Sequence, residues 1–175
     1  GQRSISPVLK ALEIAVRQAP ELRSLLRMHF VGRVDAVERQ RAIQSHVADI
    51  TSFTGFVPRE QALALMLGAD ALLLVVAPEH ADAIPAKLYD YLACRVPVLA
   101  LAPEGDAARI VRETGGTVVH SPADLAVELV RMHTRPHSEA DDYLLGHPQY
   151  EAKAVTARMA HILSGVLEQR VRDEG

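Results

Sequence analysis

The chain of 175 residues is 49% apolar and 23% charged, the balance of a soluble globular domain, which argues against both disorder and a membrane span. Its formal charge of −3 comes without a basic stripe, so nucleic acid is not an expected partner. Trp is absent, aromatics reach 4% and Cys94 is the single cysteine, which argues against an aromatic stacking platform, excludes an intramolecular disulfide and fits a reducing, cytoplasmic compartment.

Helical and strand-like segments then alternate along most of the chain. Over Ser6–Gln18, the residues Val8, Leu9, Leu12, Ile14, Ala15 and Val16 recur at helical spacing, with Ser6-Pro7 as cap and first turn. Met28–Val34 reads as a strand ending near Gly32, and Ala36–Val47 as a charged helix with few core anchors. Thr51–Thr54 is a short strand closed by Gly55, followed by a helix over Arg59–Leu67. Asp70–Ala77 is apolar on both faces, the pattern of a central parallel strand covered by helices on either side. Pro85–Arg95 is a helix with Pro at its first position, and Val96–Ala102 a second two-sided apolar strand. Asp106–Glu113 is a helix stopped by Gly115-Gly116, Thr117–His120 a strand and Ala123–His133 a helix.

This alternation predicts an α/β fold built on a doubly wound parallel sheet over residues 1–135. Residues 136–175 read as a polar linker and a long amphipathic helix, Glu151–Arg170, packing on the domain or reaching toward a second one. Doubly wound domains open on a strand whose following loop supplies a phosphate-binding turn. Here the first predicted element is a helix, so the first strand is missing from the pattern and the chain is expected to be part of something longer.

In such a sheet, ligands bind at the carboxyl ends of the strands. Three of those ends carry suggestive residues: Gly32-Arg33, Gly55-Phe56-Val57-Pro58, and Pro78–Ala86 leading into a helix with Lys87 and Asp90. The free N–H groups at that helix start suit a diphosphate, and a cation in the first turn opposes the helix dipole unless an anion is near. Asp90 shares a helix face with Lys87, where its carboxylate suits the vicinal hydroxyls of a ribose. The competing reading of the pair is an i,i+3 salt bridge on a solvated surface, worth a few tenths of a kcal/mol.

The run Asp82-Ala83-Ile84-Pro85-Ala86-Lys87-Leu88-Tyr89-Asp90-Tyr91-Leu92-Ala93-Cys94-Arg95-Val96-Pro97 resembles the donor-site signature of retaining, GT-B-fold glycosyltransferases of the group 1 type. In that signature two acidic residues flank seven others and Pro-Val follows. His29-Phe30-Val31-Gly32, then Phe53-Thr54-Gly55-Phe56-Val57-Pro58-Arg59-Glu60 followed by Ala69-Asp70-Ala71, and Gly105–Glu113 with Thr114-Gly115-Gly116 resemble the family's other segments in the same order, so the likeness covers roughly residues 5–130. It implies a Rossmann-like C-terminal half of a GT-B enzyme that takes a UDP-, GDP- or dTDP-sugar as substrate. The acceptor would sit on an N-terminal domain, and the sugar would pass with retention and without an essential metal or cofactor. By the same resemblance Asp90 holds the ribose, and Gly55, Phe56 and Val57 lie beside the base. Asp82 with the backbone of Ala83, Ile84, Pro85 and Ala86 faces sugar and diphosphate. Lys87 meeting the diphosphate is inferred from its position. In a full-length enzyme the resemblance allows a peripheral place at the inner face of a membrane.

The sequence departs from that pattern in four ways. Both acids are Asp where the family has Glu; Pro85 stands where Gly is frequent; Arg95 replaces a small residue before Pro97; and the phosphate-binding Arg and Lys that follow the family's first strand have no counterpart. Glu79 competes with Asp82 for its role. Two other readings are a GT-B nucleotide-sugar epimerase half, which needs acid–base residues not evident here, and a flavodoxin-like regulatory module. His133 and His137 are four apart but broken by Pro136, with no third ligand evident, so no metal site is expected. His120 reads as a satisfied surface residue and Cys94 as a small core residue.

Overall fold

The computed structural model describes Ser4–Thr134; the predicted linker and the helix Glu151–Arg170 lie outside the described residues. In chain order the elements are α1 (Ser6–Gln18), α2 (Leu22–Leu25), β1 (Met28–Val31), α3 (Ala36–Gln44), β2 (Thr51–Gly55) and α4 (Arg59–Leu67). They continue with β3 (Leu72–Val75), α5 (Ala86–Cys94), β4 (Val98–Leu101), α6 (Asp106–Glu113), β5 (Thr117–Val119) and α7 (Pro122–Thr134). The fold is the expected parallel α/β alternation.

Local chemistry explains where the boundaries differ from expectation. The first strand ends at Val31 because Gly32 turns the chain at φ +108°. α3 begins under the Asp35 carboxylate, which accepts from the Val37 N–H at 2.8 Å, a standard N-cap bond. It stops at Gln44, short of the expected Val47, where Ser45 turns extended and its hydroxyl donates to the Ala42 carbonyl at 2.7 Å. Pro85 occupies the N-cap of α5, with φ −62° and ψ 130°, one position before the helical site expected for it. At the other end Arg95 closes α5 in the left-handed conformation, φ 55° and ψ 31°, which costs a residue with a Cβ about 1–2 kcal/mol. Arg95→Gly is expected to gain up to about 1 kcal/mol, net of the entropy that glycine adds to the unfolded chain. A urea melt of the variant reads the sign.

All strand pairings are parallel, but the five strands fall into two sheets, β1-β2 and β3-β4-β5, where a single sheet was expected. β4 is the central strand, buried on both faces over Val98–Leu101. β3 is not: Leu72 and Leu74 are buried while Leu73 and Val75 are half-buried, because β3 has a partner on one edge only. α1 and α7 pack together over Leu99, Leu101 and Val119, and Val8, Leu9, Leu12, Ala15, Leu125 and Leu129 form the centre of that cluster. Each large side chain so buried contributes about 1.5–3 kcal/mol of transfer free energy. On the other face of β4, α5 and α6 supply Leu88, Leu92, Ala107, Ile110 and Val111 against Leu74, Val98 and Ala100. α4 stands apart from both clusters: its sequence is rich in Ala and Leu, yet no residue in it is buried.

Candidate functional site

Parallel pairing puts the β1–α3 and β2–α4 connections side by side at the carboxyl ends of one sheet, and a cavity lined by Val31, Val34, Arg59, Lys87 and Asp90 joins them to the β3–α5 connection of the other. The first two are stitched together by backbone: the Gly32 N–H donates to the Gly55 carbonyl at 2.9 Å. Both glycines have positive φ, +108° and +69°, and a Cβ on either would meet open space. Backbone handedness, and no neighbouring atom, is therefore what requires glycine there. Arg33 is exposed beside this junction, and Phe56 projects beyond it with 78% of its surface open. Val57 is half-buried.

The third connection is built in two steps. A short 3-10 turn at Pro78–His80 leads into an exposed turn holding Asp82 and Ala83, with the Ala83 N–H returning to the His80 carbonyl at 3.0 Å. Gly105, at the start of α6, lies directly against this loop. A Cβ there would collide with the Ala81 carbonyl oxygen, so the loop bearing Asp82 is seated on a glycine of the next connection. Ile84 and Pro85 are half-buried, and α5 then starts without a side-chain cap and without an acid in its first turn.

On α5, Lys87 and Asp90 are both exposed. The salt bridge their spacing allows is not formed: among the described residues neither side chain has a hydrogen bond or ion pair. Both line one cavity of about 830 Å³, together with Val31, Val34 and Arg59. Arg59 opens α4 at the carboxyl end of β2, so it is a second cation on the same cavity. Sequence reading missed it as a site residue. The available signal was position alone, a basic residue at the start of the helix that follows Gly55-Phe56-Val57-Pro58. Asp82, Ala83–Ala86, Gly32, Arg33, Gly55, Phe56 and Val57 do not line this cavity and sit on the surface around its edge connections.

Cys94 lies one turn after Asp90 and is buried. Burial, with a smaller contribution from the Asp90 charge, pushes its thiol above the ordinary value, which suits a core residue and disfavours a nucleophile. A separate ionic group ties the β4–α6 connection to the end of β5. Glu104 takes Arg112 at 2.6 Å and faces His120 Nε2 at 3.1 Å. The Arg112 hydrogen bond holds the Glu104 carboxyl below its usual range. His120 Nδ1 donates to the Ala102 carbonyl at 2.8 Å, the only direction a carbonyl permits. His120 is thus satisfied locally, as expected. Of the pair His133 and His137, His137 lies outside the described residues. No described helix is long and apolar enough to cross a membrane.

The sequence model described as Glycosyl transferases group 1 matches residues 3–135. The chain belongs to that family. No curated protein matches it significantly by sequence. Among solved structures this group 1 domain resembles WaaG, described as a glycosyltransferase involved in lipopolysaccharide biosynthesis. The two share 22% identity over 82% of this chain and 38% of that one, with a TM-score of 0.64. It also resembles the GtfA/B complex, at 15% identity, 93% and 33% coverage and a TM-score of 0.67. A third similar structure is the pneumococcal O-GlcNAc transferase GtfA in complex with UDP and GlcNAc, at 16% identity, 93% and 33% coverage and a TM-score of 0.64. At those identities the likeness establishes the fold, the Rossmann-like half of a GT-B architecture. The chain spans about a third of the length of these structures.

Proposed function

We propose that this group 1 domain is the donor half of a glycosyltransferase, holding a nucleoside-diphosphate sugar at the carboxyl edge of β1 and β3. The observation that carries the reading is that Lys87 and Asp90 stand free of each other on the same cavity as Arg59. An exposed pair gains little by closing on itself, so both side chains are available to a ligand. In this reading Asp90 accepts from the ribose hydroxyls, and Lys87 with Arg59 faces the diphosphate across the uncapped start of α5. Asp82 and the backbone of Ala83–Ala86 lie toward the sugar. Gly55, Phe56 and Val57 flank the base, with Gly32 and Arg33 adjoining.

The chemistry asked of these groups is modest. As the bond from the anomeric carbon to the diphosphate breaks and a bond to the acceptor oxygen forms, negative charge grows on the leaving diphosphate. In this reading Lys87, Arg59 and the start of α5 stabilise that charge. The acceptor would be held by an N-terminal domain, so the 175-residue chain is expected to bind nucleotide weakly and to transfer nothing. The family match favours this reading over a flavodoxin-like regulatory module.

Asp90→Asn tests the assignment. It keeps the size of an exposed side chain and removes a charge-assisted acceptor, worth about 1.5–3 kcal/mol. Affinity for the preferred nucleotide among UDP, GDP and dTDP should fall about tenfold or more, with an unchanged melting temperature. Equal affinity of variant and parent, or no binding of any of the three at millimolar concentration, would sink the reading.

A further inference from the structure

The turn that carries Asp82 has little to hold it from within. Its backbone hydrogen bonds are local: the His80 N–H donates to the Ala77 carbonyl at 2.9 Å, Ala81 to Pro78 at 3.3 Å and Ala83 to His80 at 3.0 Å. Asp82 and Ala83 are exposed, and among the described residues the Asp82 side chain has no hydrogen bond or ion pair. A turn closed only on itself can shift as a unit, so its place is set by what it rests against.

It rests on the β4–α6 connection at both ends. At one end Ala81 lies on Gly105 so closely that a Cβ there would stand 2.9 Å from the Ala81 carbonyl carbon and nearer still to its oxygen. At the other end Ile84 packs against the cluster that contains Ala102 and Ala107. Asp82 and Ala83 bridge the two contacts, and Glu104 lies in the middle of the run that supplies them.

Glu104 ties that run to its surroundings. Its carboxylate accepts from both terminal nitrogens of Arg112, at 2.6 and 2.8 Å, and faces His120 Nε2 at 3.1 Å. His120 is anchored in turn by Nδ1 on the Ala102 carbonyl at 2.8 Å, and the Ala102 N–H donates to the Val119 carbonyl at 3.0 Å. Arg112 belongs to α6, which is held by its buried Ala107, Ala108, Ile110 and Val111. One carboxylate thus joins the connection to α6 and to the end of β5. Isolated exposed ion pairs hold little, but a two-pronged Arg–carboxylate contact inside a three-member network is the arrangement that does fix geometry. The other ion pairs of α6, Arg109 with Asp106 and Glu113, stay within the helix and do not reach β5.

We infer that Glu104 is a positioning residue for Asp82: through Arg112 and His120 it fixes Gly105, Gly105 seats Ala81, and Ala81 sets where the Asp82 carboxylate stands. The placement of the turn involves no ligand. Its consequence rests on the proposed function, in which Asp82 faces the sugar while Lys87, Asp90 and Arg59 hold the nucleotide. Loss of the network should therefore disturb the Asp82 turn and spare affinity for a nucleotide that carries no sugar.

Amide exchange and backbone chemical shifts of the 175-residue chain, first without nucleotide, separate the possibilities in Glu104→Ala, Glu104→Gln and Arg109→Ala. In Glu104→Ala the Ala83 N–H should exchange about tenfold faster, and the resonances of Ala81–Ile84 should move. Glu104→Gln keeps one oxygen for Arg112 and should fall between that variant and the parent. Arg109→Ala removes two ion pairs of the same helix and should leave the turn as it is in the parent. The Gly32 N–H, bonded to Gly55, is the distant reference and should be unchanged throughout. Of UDP, GDP and dTDP, any that binds the parent should bind Glu104→Ala with affinity within about twofold. Parental exchange and shifts at Ala81–Ile84 in Glu104→Ala would overturn the inference. So would an equal effect from Arg109→Ala, or faster exchange that includes Gly32, either of which marks a merely structural role. A tenfold loss of nucleotide affinity in Glu104→Ala would overturn its assignment to Asp82. Failure of all three nucleotides to bind the parent would remove the donor reading alone, and the exchange data would still decide the role of Glu104.

Discussion

Glu38→Ala is expected to lower the unfolding free energy by about 2–3 kcal/mol at neutral pH, the cost of leaving buried donors without a charged acceptor. Ile5, the N-cap residue of α1, offers no side-chain cap. Glu38 performs that service from α3, with 12% of its side chain exposed. One carboxylate oxygen takes the Ile5 N–H and the Ser4 hydroxyl, with the Ser6 hydroxyl at 3.4 Å, while the other takes Arg41 at 2.6 Å. A negative charge at a helix start also complements its dipole. Burial alone would raise the carboxyl pKa, but the Ile5 N–H, the Ser4 and Ser6 hydroxyls and the Arg41 charge outweigh it and hold it below the ordinary glutamate value. A depressed folded-state pKa gives stability that is complete above the unfolded value and is lost as pH falls through the folded one. Urea melts of parent and Glu38→Ala should therefore differ at pH 7 and converge in the acid range below the ordinary glutamate pKa. Glu38→Gln keeps an acceptor and should fall between the two at pH 7. Equal midpoints for parent and Glu38→Ala at pH 7 would show that the clamp carries no energy.

Gly105→Ala should cost about 1–3 kcal/mol, the usual penalty for forcing atoms into an occupied space, and should shift the loop that bears Asp82. The obstructing atom is the Ala81 carbonyl oxygen, a backbone group that cannot rotate away as a side-chain tip would. Gly68 supplies the control. A Cβ there would meet the Ala64 carbonyl at an ordinary 3.4 Å, so Gly68→Ala should change stability by about 0.5 kcal/mol or less. Thermal melts separate the two substitutions, and the exchange rates of Asp82–Ile84 report the loop. A Gly105→Ala protein with parental stability and loop protection would remove Gly105 from the account.

The helices and strands were legible because each carries its own periodicity and punctuation. Ser6–Gln18, Arg59–Leu67 and Asp106–Glu113 emerge with the bounds expected for them, since apolar spacing, Pro and Gly are local signals. Legibility ended where partners are distant in sequence. Ala36–Val47 reads as a charged helix with little to bury, and nothing local shows that its Glu38 reaches back 33 residues to hold Ile5. Asp70–Ala77 reads as a strand covered on both faces, yet Leu73 and Val75 are only half-buried, because edge pairing is not a property of the strand's own residues. The site divides in the same way. Lys87 and Asp90 were visible as a spaced pair at a helix start. Arg59 is 28 positions upstream of Lys87, and only the cavity they share brings them to one place. Asp82 and the loops at Gly32 and Gly55 were visible as strand-end residues, but they lie around that cavity rather than on it.

In the proposed function nucleotide binds where Lys87, Asp90 and Arg59 share a cavity. Backbone amide chemical shifts of the 175-residue chain, followed through titrations with UDP, GDP and dTDP to millimolar concentration, test it most directly. At least one nucleotide should move a cluster of resonances centred on Ala86–Asp90 and Arg59, extending to Gly55–Val57, and uridine, guanosine or thymidine without the diphosphate should move them far less. Shifts centred instead on α6 and α7, or equal responses to nucleoside and nucleotide, would contradict it.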